Sequence, residues 1–301
     1  MKKCWSCVAA LLCTCIHSLA QYYFYDATHL EPEWRWESGI SIGWMNCLTD
    51  LGGAKGNGKK FIKDINWKFG RPCTGIFVLL TRQDFIGLRF ECTIGKITAC
   101  DSILKNDELP ATLRYKRNLH FRSSILEGSL LSELHPLSID NSSLQTFSPY
   151  LLFGIGFFHF QPQACLENNW INLQPLHTEG EGFVECSSSK EYKLNQINFP
   201  IGCGLKYDVS ALINLKFEVV YRILMTDYLD DVSRNYIDPQ LFYKYLPHAQ
   251  AALAERLADR TSELDITHQT QAGAIRGNPN NNDGYFSISI KLAVVLNRKR
   301  Y

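Results

Sequence analysis

The stretch Ala211-Leu212-Ile213-Asn214-Leu215-Lys216-Phe217-Glu218-Val219-Val220-Tyr221-Arg222-Ile223 decides the fold. Its odd positions from Ile213 to Ile223 are all apolar, while the even ones include Asn214, Lys216, Glu218 and Arg222. Successive side chains of an extended strand point to opposite faces, so this strand has one apolar face and one charged face. Residues 85–96 divide the same way, with Ile86, Leu88, Phe90, Cys92 and Ile94 set against Arg89, Glu91 and Thr93. Near the C-terminus, Phe286, Ile288, Ile290, Leu292, Val294 and Leu296 alternate with Ser287, Ser289 and Lys291.

Outward from these three, segments rich in Ile, Val, Phe, Tyr and Gly at 36–46, 72–81, 117–134, 146–160 and 197–207 complete a set of eight predicted strands, with the last two at 211–224 and 285–297. Their connections alternate. Residues 82–84 and 208–210 are tight turns and 135–145 is moderate, whereas 47–71, 97–116, 161–196 and 225–284 are long. An even strand count with short turns at one end and long loops at the other predicts an all-β fold, an eight-stranded antiparallel outer-membrane β-barrel whose long loops are extracellular. Segment 117–134 departs from strict parity: Leu119 and Phe121 fall on one face and Leu126, Leu130 and Leu134 on the other, so a bulge is expected there.

With the apolar faces turned to lipid, the inward charges are Glu37, Arg89, Glu91, Glu127, Lys206, Lys216, Glu218, Arg222 and Lys291. Five basic groups against four acidic ones predict an ion-paired plug, and an eight-stranded barrel has room only for its own side chains. A secreted lipocalin-like barrel would have the same periodicity with the faces inverted. A small-solute channel or transporter would call for a one-signed lumen or more strands.

The N-terminus locates the chain. Lys2 and Lys3, an apolar run from Cys4 to Ile16 and the small residues Ser18 and Ala20 predict a cleaved secretory signal over 1–20. A periplasmic segment over 21–34 and a barrel domain over 35–301 follow. The apolar run is shorter than the ~20 residues that a spanning helix needs. Over the 301 residues, 31 Lys plus Arg against 30 Asp plus Glu give a net charge of +1, which falls to −1 when the two lysines leave with the signal. Near-neutrality gives no surface for nucleic acid. Removal of the signal leaves Cys47, Cys73, Cys92, Cys100, Cys165, Cys186 and Cys203, an odd number without Cys-x-x-Cys spacing or clustered His, so neither a zinc site nor a redox motif is expected. Cys73 and Cys92 flank the 82–84 turn and are candidate cross-strand neighbours.

Two loops carry carboxylates, Glu179 and Glu181 in one and Asp227, Asp230 and Asp231 in the other; gathered together they would offer hard oxygen ligands to a cation such as calcium, though their spacing matches no calcium loop. Because of that spacing, capping or hydrogen bonding of loop backbone is the favoured use. Residues 239–260 read as one helix, with Asp238 as N-cap and Pro239 at the first position. The histidines, His120 among them, form no catalytic signature, and no cofactor, metal or catalytic residue is expected. The glycine-rich run Gly52–Lys60 lacks the ending of a phosphate loop and reads as a loop tip.

Four stretches resemble one family: Met45–Gly53, Arg117–Ser123, Ser148–Phe160 and Thr226–Ser233. They are similar to the Bacteroidota outer-membrane barrels related to PorG, a component of the type IX secretion system, and the resemblance extends over nearly the whole mature chain. It implies a non-enzymatic barrel in contact with outer-membrane lipids and associated with a periplasmic ring of a lipoprotein and its partner. It implies no catalytic residues, and it points to fold and location more strongly than to secretion.

Overall fold

The computed structural model describes residues 33–52, 66–104, 114–139, 147–187, 189–210, 212–264 and 270–297. The proposed signal and most of the 21–34 segment lie outside them, as does most of the glycine-rich run. Eight strands form the wall: β1 (Trp34–Leu48), β2 (Arg71–Arg82), β3 (Ile86–Cys100), β4 (His120–Leu134), β5 (Phe147–Leu166), β7 (Asn195–Asp208), β8 (Ile213–Leu224) and β9 (Gly284–Val295). A short strand, β6 (Asn169–Asn172), pairs only with the outer end of β5. Every pairing is antiparallel, and β4 meets β5 to close the barrel. Closure leaves no long free edge to template association.

Parity holds along each wall strand. Ile42, Ile76, Phe90, Phe157 and Ile290 are about half exposed on the outside, while Glu37, Arg89, Lys216, Glu218 and Lys291 are buried inside. These exposures exclude the inverted, lipocalin-like arrangement. Five or six outward apolar positions per strand amount to about ten residues of ~3.3 Å rise, which at a tilt of ~40° cross ~25 Å, the height of an outer-membrane apolar band. Trp34, Trp36, Phe147 and Tyr207 sit at the short-turn end of this band, where aromatic rings suit the membrane interface.

The β2–β3 turn shows why the short connections stay short. Gln83 and Asp84 both have positive φ (48° and 53°), the two-residue geometry that matches strand twist. Arg35 holds the Asp84 carboxylate in an ion pair. Glu167 and Asn168 (φ 51° and 65°) make the same turn between β5 and β6. Without an Asn-Gly or Asp-Gly pair to mark it, this hairpin is not evident in the sequence.

Three expectations are corrected. First, β4 has no bulge: its register with β3 and with β5 is unbroken, and its odd positions face inward from Phe121 to Glu133. Leu119 and Phe121 are apolar yet inward because the outer end of the lumen is itself apolar, a cluster that includes Met45, Ile97, Phe158 and Phe160. Second, the 239–260 helix is two helices, α1 (Gln240–Tyr245) and α2 (His248–Ala258). Pro247 forces Leu246 into extended backbone (φ −108°, ψ 152°) and ends α1 there. Asp238 still acts at the start, accepting from the Gln240 N–H at 3.0 Å. Third, Cys73 faces Gly95 and Cys92 faces Ile76, one cysteine inward and the other outward, so they cannot be bridged.

One seam interrupts the wall. The β5–β7 ladder pairs Phe153 with Ile201 and Gly156 with Asn198, but skips the positions between, where Pro200 has no N–H to donate. An open apolar depression of about 500 Å³ lies on the lipid face there, lined by residues that include Leu130, Phe153, Ile155 and Ile201.

Candidate functional site

The interior is built in layers. At the inner end, Arg89 lies between three carboxylates: Nη1 is 2.8 Å from Glu133 and 2.5 Å from Glu218, and Nε is 3.2 Å from Glu91. Lys216 reaches Glu133 at 3.1 Å and Glu37 at 3.6 Å. Lys291 is 3.1 Å from Glu218 and also pairs with Glu91. Tyr150 donates to Glu218 at 2.6 Å and Asn214 to Glu37 at 3.0 Å. The Phe77 ring lies beneath Arg89, Lys216 and Lys291, at 5.2 to 5.8 Å from the three cations.

One layer further out, Arg222 pairs with Glu127 at 3.1 Å and donates to Ser287, while Tyr285 donates to Glu127 and accepts from Asn198. Lys206 lies at the inner mouth against Asp208. All nine inward charges read from the sequence are therefore buried, eight of them in direct lumen pairs and Lys206 at the rim. The sequence reading omits Glu133 and also Arg35, which is buried beside Glu37 at 3.0 Å, and with them the described interior holds six cations and five carboxylates. The parity of Glu127 and of Glu37 identifies both. Buried charges of both signs are stable only when paired and hydrogen-bonded, and here they bond across the barrel from wall to wall.

Above the apolar layer the long loops form a cap. Two anchors hold it. Arg117 grips Asp101 through two nitrogens and donates to the carbonyls of Arg276 and Asp50. Arg276 pairs with Glu179 at 2.9 Å and donates to the Asp231 carbonyl. The second apolar cluster, Phe183, Phe242, Ala251, Ala254 and Leu257 among its members, packs α1 and α2 onto the β5–β6 hairpin and the loop after it.

The five loop carboxylates are brought into this cap, and most of their oxygens go to loop backbone and hydroxyls. Glu179 accepts from the Ser233 and Arg234 N–H groups, and Asp230 from those of Leu51 and Val232. Asp231 accepts from Thr178 and Tyr192, and Glu181 from the Glu179 N–H. Both oxygens of Asp227 are buried without a partner in hydrogen-bonding geometry. No three His, Cys, Asp or Glu side chains among the described residues converge as a metal-ligand set.

Asp227, Asp230, Asp231 and Asp283 hold their protons tightly. Burial, followed by the charges of Asp50 and Asp230, pushes Asp227 up to about 8, against an opposing contribution from Ser233. Burial and Asp50 push Asp230 up to about 8, and burial raises Asp231 to about 6 despite Arg276. Asp283, whose carboxylate accepts from the Leu229 N–H, is raised by burial and by Asp230, Asp227 and Asp50. These shifts report carboxyl groups massed beyond the cations available to them.

No family model and no curated protein matches this sequence. Among solved structures it is similar to Ail, the attachment invasion locus protein of Yersinia pestis, in complex with the heparin analogue sucrose octasulfate (9% identity, TM-score 0.36, covering 87% of this chain and 99% of that one). It is likewise similar to the N-terminal β-barrel domain of Pseudomonas aeruginosa OprF (8% identity, TM-score 0.35, 88% and 98%) and to Neisserial surface protein A (8% identity, TM-score 0.36, 88% and 98%). The chain's own closed wall, apolar exterior and ion-paired interior make it an eight-stranded outer-membrane β-barrel.

Proposed function

We propose that the chain is a non-enzymatic outer-membrane anchor or scaffold, and that its partner is a periplasmic ring lipoprotein with its associated protein, as in the type IX secretion system. The observation that carries the anchoring role is the lumen. Most of the buried lumen charges are spent on pairs that link strands of the wall, among them Arg89 with Glu218 and Lys291 with Glu91 across the bore, an arrangement that rigidifies a barrel and occupies the path a solute would take. The secretion partner rests on the sequence resemblance. A tagged copy purified from mildly solubilised outer membranes tests it by mass spectrometry of what accompanies it. Recovery of the ring lipoprotein and its partner supports the role, and recovery of a folded barrel alone refutes it.

A further inference from the structure

The wall is not level. On β3, β4 and β5 the strands continue past the apolar band: Ile94 gives way to Lys96, Thr98 and Cys100, Leu126 to Ser124, Arg122 and His120, and Phe157 to His159, Gln161 and Gln163. No carboxylate occupies an outward position on this raised part of the wall, and Lys96 and Arg122 are its two permanent charges. Arg71, at the outer end of β2, adds a third by reaching onto Thr98 (Nε to Oγ1, 3.2 Å).

These three cations form a patch around Thr98. Arg122 is opposite Thr98 in the β3–β4 ladder, and Lys96 is two residues below it. Arg71 and Arg122 stand on strands either side of β3, about 10 Å apart at ~4.8 Å per strand. Arg122 is held in place, its guanidinium 3.8 Å from the Trp170 ring centroid and its Nε on Gln163 at 3.0 Å. None of the three is within ion-pair distance of a carboxylate among the described residues.

We propose that this patch binds the phosphate head group of a lipid in the outer leaflet, with an acyl chain descending the face of β4. The patch sits where lipid head groups meet the wall, and its unopposed positive charge complements phosphate, which guanidinium and ammonium groups bind by charge-assisted hydrogen bonds. The surface below it suits a chain. Beneath Leu126, Gly128 leaves an open notch with nothing within 4 Å of where a Cβ would be, and Leu130 then borders the apolar depression at the Pro200 seam. A soluble anion would use the cations and have no use for the notch. This inference does not depend on the scaffold role.

Native mass spectrometry of the full chain in neutral detergent, with diphosphorylated lipid A as the probe and its phosphate-free counterpart as control, tests it. The native chain retains the phosphorylated lipid, and R71Q/K96Q/R122Q retains it about tenfold less, the loss expected for removing charge-assisted contacts. The phosphate-free lipid shows no such difference. Equal retention of the phosphorylated lipid by the folded variant overturns the proposal, as does equal retention of both lipids by the native chain. Displacement by inorganic phosphate at matched concentration overturns it in favour of a soluble anion. Heat-modifiable gel mobility reports folding. Should the triple variant fail that check, K96Q, which removes no recorded contact, gives the same reading: about threefold weaker retention supports the site and unchanged retention overturns it.

Discussion

The lumen and the cap solve the same problem in different ways. Each removes many carboxylates from water. In the lumen the cations match the carboxylates, six to five among the described residues, and nearly every oxygen meets an ammonium, a guanidinium or a phenol. In the cap, Asp101, Glu179, Glu181, Asp227, Asp230, Asp231 and Asp283 are buried, and the buried cations there among the described residues are Arg117, Arg260 and Arg276. Backbone N–H groups and protonation must do the rest there. Wall strands fix their side chains in register, so opposite charges can be matched across a narrow bore; loops lack that register but have many free N–H groups for a carboxylate to gather.

The sharpest way to break the contrast is Arg89→Met. It leaves Glu91, Glu133 and Glu218 buried around an apolar side chain, and the barrel should lose about 3–5 kcal/mol, measured by denaturant unfolding followed on a gel. Adding Glu218→Gln should restore part of that loss, because one of the stranded charges goes with it. Arg276→Met should act more locally. It frees Glu179 and the Asp231 carbonyl, costs about 2–3 kcal/mol within the cap, and speeds loop proteolysis while the barrel keeps its gel mobility.

A pH series tests the cap's reliance on protons. Asp227 and Asp230 at about 8 and Asp231 at about 6 lie above their unfolded values, so the folded cap binds protons that the unfolded loops release. Stability is fully present below the unfolded carboxylate range and declines as pH rises through about 8. Loop proteolysis should therefore be at least about tenfold faster at pH 9 than at pH 5, and a flat profile would contradict the buried-acid description. Pro247→Ala is the smallest expected effect. It lets α1 run toward α2 and should change cap stability by less than about 1 kcal/mol, read by the same proteolysis.

The two regions were also unequally legible in the sequence. Period-two alternation gave all eight wall strands because one face meets lipid and the other does not, and Lys216, Glu218 and Arg222 stood out within a single strand. Glu133 was legible as well, since it shares the inward parity of Glu127, whereas the change of face suggested by Leu119 and Phe121 was misleading because the lumen turns from ionic to apolar along its length. The cap was hardly legible at all. Its contacts join residues far apart, such as Leu51 with Asp230 and Ser233 with Glu179, and no local period encodes them. The Pro247 break was visible as a residue, but Leu253-Ala254-Glu255-Arg256-Leu257 read as one continuous helix with the turns before it.

The pairing across the bore has a consequence for how the sequence can drift. Glu127 and Arg222 touch across 95 residues of chain, and Arg89 and Glu218 across 129. A change at either member alone strands a buried charge, whereas a reciprocal exchange or a joint loss leaves the charge balance of the interior unchanged. An alignment of descendants of this barrel should then show these positions as linked columns, while the lipid-facing leucines and isoleucines beside them exchange freely with one another.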